Sequence, residues 1–258
     1  MVIPPRLKAR MLALVGACVL AGPAFTGSAL AQSDVVRGPL IRPTVSSSDP
    51  RDLSGVWFLR SYNRQINATT GRIPPLTPHG KEERDRRVKA EKDGSPVADA
   101  SAYCFPHGVP RVMNSPYPLQ IIQTAGETTI VHEVAHNVRH IYMDVPHSKD
   151  VKPTFLGESV GKWEGDTLVV DTIGLNDRTW IDEVGVIHGK NLHVVERIRK
   201  VEDGNAIENE VRIEDPEFFA RPWYMRDTYS WRPDLRIAEY ICEENNRNRP
   251  ENGHTVAK

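Results

Sequence analysis

The chain has 258 residues, 33 basic and 34 acidic, with a formal net charge of −1 and 39% hydrophobic residues. That length can build one domain with a sizeable core. The near-neutral charge, with no basic block, excludes a protein built on a basic face for nucleic acid or an anionic membrane surface.

Residues 1–31 read as a secretory signal peptide. Arg6, Lys8 and Arg10 form a positive leader, residues 11–21 an apolar core broken only by Gly16, and Ala29-Leu30-Ala31 the small-x-small site before Gln32. The apolar run is shorter than the roughly 20 residues a spanning helix needs, and no later segment approaches that length. The expectation is a periplasmic or secreted protein without a membrane span. Val15-Gly16-Ala17-Cys18 leaves lipid attachment at Cys18 as an alternative, although Val19, Leu20 and Ala21 continue the apolar core beyond it. Cleavage leaves Cys104 and Cys242, which in an oxidising compartment are most simply a disulfide. The alternative is two separate buried thiols.

Residues 32–50 carry Ser, Pro and Arg without apolar periodicity and read as a flexible arm. Residues 51–258 read as a single β-rich domain. Leu53, Val56, Trp57 and Leu59 begin its apolar core. Thr77 and Pro78 then predict the start of a helix over 77–92, with Thr77 as N-cap. Its Glu82–Arg86, Glu83–Arg87 and Asp85–Lys89 spacings suit i,i+4 pairs on a solvated helix without chemistry. Residues 93–118 form a long loop punctuated by Pro and Gly. Strands are predicted at 119–124, 128–134, 159–163, 167–172, 192–201, 206–213, 223–231 and 236–242, with Glu164-Gly165-Asp166 as a hairpin turn. No helical pattern separates them, so the expectation is an antiparallel, lipocalin-like barrel, with a β-sandwich as the alternative.

His132-Glu133-Val134-Ala135-His136 matches the HExxH zinc-hydrolase pattern. On a helix its two histidines would share one face and a metal ion, with Glu133 polarising the bound water. The β-prone entry Thr128-Thr129-Ile130-Val131 and the confining Gly126 and Pro146 favour a hairpin turning about 135–137 instead. Zinc hydrolysis is therefore a minor alternative, and no cofactor is otherwise called for.

The densest polar cluster follows the 167–172 strand: Asp171, Asn176, Asp177, Thr179, Trp180, Asp182 and His188, with Glu196 and Arg197 on the next strand. A histidine among carboxylates at strand ends suits acid–base work near neutral pH. The competing reading is that these are ordinary turn and capping residues. Further on, Trp223, Met225, Asp227, Tyr229 and Trp231 alternate onto one inward face. Asp227 among aromatics is either a functional acid or half of a buried pair with Arg139 or Arg197.

Several of these segments resemble a large family of secreted bacterial proteins. The resemblance rests on Asp52-Leu53-Ser54-Gly55-Val56-Trp57, on Cys104-x-Pro106-x-Gly108-x-Pro110, and on the run from Ser159 to Thr172 with Trp163-Glu164-Gly165-Asp166-Thr167-Leu168-Val169 at its centre. It continues through Asn176-Asp177-x-Thr179-Trp180, His188, Glu196-Arg197, Asp215-Pro216, Pro222-Trp223 and Glu239-Tyr240-x-Cys242. It implies a hairpin at 132–136 and no particular activity. Relatives often carry His-Glu-Gly-Asn where this chain has Glu243-Glu244-Asn245.

The functional expectation is a cofactor-independent acid–base enzyme (lyase, hydrolase or isomerase type) on a small organic or sugar-derived substrate. His188 with Asp171, Asp177 or Asp182 would move protons. Asn176, Trp180, Glu196, Asp227, Trp223 and Tyr229 would line the site, and Arg139 or Arg197 would hold an anionic group. The alternative is a non-catalytic carrier barrel for an apolar molecule. Substrate identity and oligomeric state are not legible in the residues.

Overall fold

A computed structural model describes residues 46–245, except 72 and 96–98. The expected signal peptide, Cys18 and residues 32–45 of the expected arm lie outside the described residues. Nine strands form a closed barrel in chain order: β1 (Gly55–Leu59), β2 (Leu119–Gln123), β3 (Glu127–His132), β4 (Val138–Met143), β5 (Glu158–Glu164), β6 (Thr167–Ile173), β7 (His193–Val201), β8 (Ala206–Glu214) and β9 (Trp223–Trp231). β9 pairs with β1, Tyr229 opposite Leu59, so the sheet has no free edge. The closed barrel is the expected architecture, and the sandwich is ruled out.

Three details differ from expectation. Residues 236–242 are not a strand, whereas 55–59 are, and 138–143 form the second strand of the expected hairpin. β4 and β5 run parallel, with Ile141 opposite Ser159, so residues 144–157 must return the length of the barrel before β5 begins. Every other neighbouring pair is antiparallel. The β5–β6 hairpin turns at Gly165, whose φ of +60° needs no Cβ.

Period-two alternation sorts side chains into the barrel or onto its wall. Ile130, Ile141, Leu168, Val170, Val194, Ile198, Ile207, Val211 and Ile213 point inward and are buried. β9 alternates as read from sequence, with Trp223, Met225, Asp227 and Tyr229 buried and Tyr224 and Arg226 exposed.

The long connections collect at one end, where β1, β3, β6 and β8 finish. The connection from β1 to β2 passes over that end in its described residues, and Val109, Val112 and Met113 are buried there as a plug. Tyr229 donates from inside the barrel to the Met113 carbonyl at 2.8 Å. Gly108 (φ +76°) lies so close to Thr179 that a Cβ would sit 2.6 Å from its hydroxyl. Cys104 and Cys242 form a disulfide with a Cα–Cα distance of 5.6 Å, joining the start of this plug to the chain's last described turn.

Helix α1 (Pro78–Lys92) starts where expected, with Thr77 Oγ1 accepting from the Gly80 N–H at 3.0 Å. Its ion pairs differ in part: Glu83 takes both Arg86 and Arg87, while Lys81–Asp85 and Lys89–Asp93 replace Glu82–Arg86 and Asp85–Lys89. No helix among the described residues is long and apolar enough to cross a membrane.

Candidate functional site: a polar belt inside the barrel

Polar side chains interrupt the apolar interior on six consecutive strands. Arg139 on β4, Ser159 on β5, Thr172 on β6, Glu196 on β7, Asn209 on β8 and Asp227 on β9 all point inward and are buried. Ser159 lies directly opposite Thr172, and Asn209 directly opposite Asp227. Between them the belt steps by two residues: Thr172 faces Val194, two before Glu196, and Glu196 faces Val211, two after Asn209. That stagger follows the strand tilt of a closed barrel and keeps the six side chains at one level.

Arg139 organises the belt. It bonds Glu196 through Nη2, Thr172 Oγ1 through the same nitrogen at 2.8 Å, and Ser159 Oγ through Nε at 3.1 Å. Both members of the Arg139–Glu196 pair are at most 1% exposed. Asn209 Nδ2 donates to the other Glu196 oxygen at 3.0 Å, which fixes the amide orientation and leaves its Oδ1 inward.

Five buried polar atoms in or beside this belt have no hydrogen-bond partner among the described residues: Arg139 Nη1, Asn209 Oδ1, Asp227 Oδ2, His132 Nε2 and Trp223 Nε1. Buried polar groups are normally paired with protein or with ordered water, so these five are the interior atoms that the protein's own side chains do not satisfy. Burial, reinforced by the Glu196 charge, pushes the Asp227 carboxyl up to about 7. Burial, then the charge of Arg139 and the neighbouring His107, pushes His132 down to about 3.

The sequence-predicted site residues divide between this belt and the surface. Arg139, Glu196, Asp227, Trp223 and Tyr229 are together inside the barrel. Arg197 is one residue out of phase and faces outward, paired with Glu164 at 2.9 Å. Asp227 pairs with neither arginine, because Arg139 is already held by Glu196 and Arg197 is on the wrong face. An anion-holding role for Arg139 meets the same obstacle, since Glu196 already balances its charge.

The expected acid–base cluster of His188, Asp171, Asp177 and Asp182 does not form as one group, and of the three acids only Asp177 lies near enough for its charge to act on His188. His188 is buried, its Nδ1 bonded to the Gly189 carbonyl at 2.8 Å and its Nε2 to Thr179 Oγ1 at 2.9 Å, so neither nitrogen is available to a substrate. Asp182 caps its own turn, accepting from the N–H groups of Val184 and Val186, each at 3.0 Å. Burial raises it to about 6 against those bonds. Asp177 is exposed, 3.8 Å from Lys190. Asn176 accepts from the Arg178 N–H as a turn residue, and Trp180 lies under the Arg87 guanidinium. These residues stitch the 174–192 loop together, and Gly108 of the plug rests on Thr179.

Asp171 is on the outer wall. Its Oδ1 meets His147 Nε2 and His193 Nε2, each at 3.0 Å, while His147 Nδ1 lies 3.1 Å from Glu158. The His193 bond is the larger cause of its lowered pKa. The chain Glu158–His147–Asp171–His193 clasps the returning 144–157 segment to β6 and β7.

The HExxH segment is a hairpin turn, as its β-prone entry suggested. β3 ends at His132 and β4 begins at Val138, with Ala135 and His136 at positive φ. The helical face on which two histidines would converge therefore does not exist. His132 points into the barrel, whereas His136 Nε2 accepts from the Tyr240 N–H at 2.9 Å and Glu133 from Ala238 at 2.8 Å. Among the described residues, no group of three or more His, Cys, Asp or Glu side chains could hold a metal ion.

Sequence reasoning passed over Ser159, Thr172 and Asn209. Asn209 carried a readable signal, a polar residue in phase with Ile207, Val211 and Ile213. Family models and curated proteins were both compared with the chain, and none matches it.

Proposed function

We propose that this protein is an extracytoplasmic barrel enzyme that moves protons on a small organic or sugar-derived molecule held at the interior belt. The observation that carries the reading is Asp227, a carboxyl inside the barrel with Oδ2 unpartnered and its proton held to about pH 7. A group poised there gives up and regains a proton in one cycle at neutral pH, the condition for general acid–base catalysis. Asn209 beside it would orient a substrate hydroxyl, and Arg139 Nη1 would polarise an oxygen. Glu196, Ser159 and Thr172 keep Arg139 in place. The Cys104–Cys242 disulfide supports a compartment outside the cytoplasm, in keeping with the leader at 1–31.

A second reading, a carrier without chemistry, is favoured by the buried Trp57, Trp223, Met225 and Tyr229 around the same interior. One experiment separates the two. Protein recovered from the periplasm or medium, with Gln32 expected as its first residue, is incubated with a library of small metabolites and followed by mass spectrometry. Wild type should convert one compound, and Asp227→Asn should lose about 100-fold or more of that rate while still binding it. Saturable binding without conversion would favour the carrier. Conversion at the full rate by the variant would dismiss Asp227.

A further inference from the structure

The segment between β4 and β5, residues 144–157, is tied to the barrel wall near both ends and spans a groove between them. At its start the Asp144 N–H donates to the Gly161 carbonyl at 2.8 Å. Further along, the Thr154 N–H donates to the Gly174 carbonyl at 3.0 Å, and the Thr154 carbonyl accepts from the Asn176 N–H at 2.8 Å. Between these anchors lies a cavity of about 680 Å³ on the outer wall. Val145, Pro146 and His147 of the segment form one side of it, and Val160, Val169 and Asp171 of β5 and β6 the other. The contact between His147 Nε2 and Asp171 Oδ1, 3.0 Å, joins the two sides.

Hydrogen-bond chemistry makes that contact depend on one proton. His147 has a carboxylate at each ring nitrogen, Glu158 Oε1 at 3.1 Å from Nδ1 and Asp171 Oδ1 at 3.0 Å from Nε2. An ionised carboxylate only accepts, so a ring between two of them needs an N–H at both positions, and only the imidazolium has both. Both acids are held below the usual carboxylate range, Glu158 first by the Ser148 hydroxyl and then by the Ser148 N–H, Asp171 first by the His193 bond.

Without the proton the two contacts are unequal. Glu158 also accepts from the Ser148 N–H at 2.7 Å and the Ser148 hydroxyl at 2.6 Å, so its hold on the segment survives. A neutral His147 that keeps Nδ1–H for Glu158 turns a bare Nε2 lone pair toward Asp171, and the two repel. Asp171 retains a donor in His193 Nε2, 3.0 Å away, which a neutral His193 still supplies. No other charge near the ring replaces the lost proton. Lys162 and Arg197 are both drawn to Glu164, and Asp144 adds a negative charge to the groove. Arg212 and Glu214 of β8 act on His193 with opposite signs.

We infer that His147 is a proton-operated latch on the outer wall. As the imidazolium it closes the groove against Asp171; as the neutral ring it stays on Glu158 and lets the β6 side open. The latch lies outside the barrel and does not depend on the interior belt.

The test follows full-length protein, labelled with nitrogen-15 in its histidine rings and carbon-13 in its valine methyls, from about pH 5 to about pH 9, where imidazoles exchange their proton. Signals are assigned with His147→Phe, Val160→Ala and Val169→Ala. At the acid end both His147 nitrogens should carry protons. As pH rises, Nε2 should lose its proton while Nδ1 keeps it, and the Val160 and Val169 methyls should move with the same midpoint.

Trypsin gives a second reading at Lys149, an exposed residue of the segment. Asp171→Asn offers an amide N–H to the bare Nε2 and so holds the latch without the proton. Compared at equal pH, cleavage after Lys149 in wild type should not exceed that of the variant at about pH 6, and should exceed it about ten-fold at about pH 8.5, as for one lost hydrogen bond to a charged group. If Asp171→Asn does not fold, His147→Phe carries the comparison: its excess cleavage over wild type should shrink between about pH 6 and about pH 8.5. A ring that keeps both protons throughout, or loses the one on Nδ1, would overturn the latch. So would a deprotonation that leaves both methyls unmoved, or a cleavage ratio that is constant with pH.

Discussion

Asp227 ionises near its ordinary 3.8 in the unfolded chain but keeps its proton to about 7 inside the barrel, because burial and Glu196 both disfavour the charge. The folded state therefore binds more protons than the unfolded one between those values. Its contribution to stability is fully present below about pH 4 and is lost as pH rises toward 7. Asp227→Asn removes that titration. In thermal melts, wild type should fall progressively behind the variant from about pH 4 to about pH 7, and the gap should then level off. A gap independent of pH would show that Asp227 ionises normally. His132 has the opposite sign: burial holds it neutral to about 3, so its contribution is lost as pH falls from about 6.5 toward 3.

At the scale of elements, the 174–192 loop shows how a cluster that reads as catalytic becomes structural. Burial lowers the His188 pKa against the bond to the Gly189 carbonyl, and the ring is held on both sides, by Thr179 and by Gly189. Gly189 in turn donates to Asp215 at 2.6 Å, which ties the loop to the β8–β9 connection. His188→Ala should cost about 1–3 kcal/mol in urea unfolding, from the unpaired Thr179 hydroxyl and the gap left behind. The rate of the folded variant on a substrate found for wild type should stay within about two-fold, since the side chain acts through packing. A large loss of turnover at unchanged stability would return His188 to the reaction. Strand β9 is the contrasting case. Its strict alternation was visible in the residues, and the barrel buries the face that alternation marks.

Across the whole molecule, closure of the barrel and the plug over one end depend on contacts far apart in sequence. The disulfide links positions 138 apart, from the plug to the last described turn. Replacing both cysteines with serine should cost about 4–5 kcal/mol if the chain-entropy model holds, measured by denaturant unfolding of the oxidised and variant proteins. Peptide mapping without reductant should recover Cys104 joined to Cys242. Free thiols at both positions in native protein would contradict the pairing.

Some of this was legible in the residues because it rests on local rules. The Thr77 cap, the Gly165 turn, the barrel class and the inward face of β9 follow from patterns a few residues long. The even cysteine pair likewise pointed to its own bridge. The site was legible only in part. Arg139, Glu196, Asp227, Trp223 and Tyr229 could each be marked as buried or suspect, yet nothing local says that Glu196 and not Asp227 takes Arg139. That choice belongs to the stagger between β6, β7 and β8, which the closed barrel sets and single strands do not encode. The same holds for His188 and Asp171. Their neighbours in sequence suggested one cleft, but the loop folds the first inward against Thr179 and the pleat turns the second onto the outer wall. Which polar groups face each other depends on register and closure, and those exist only once all nine strands are paired.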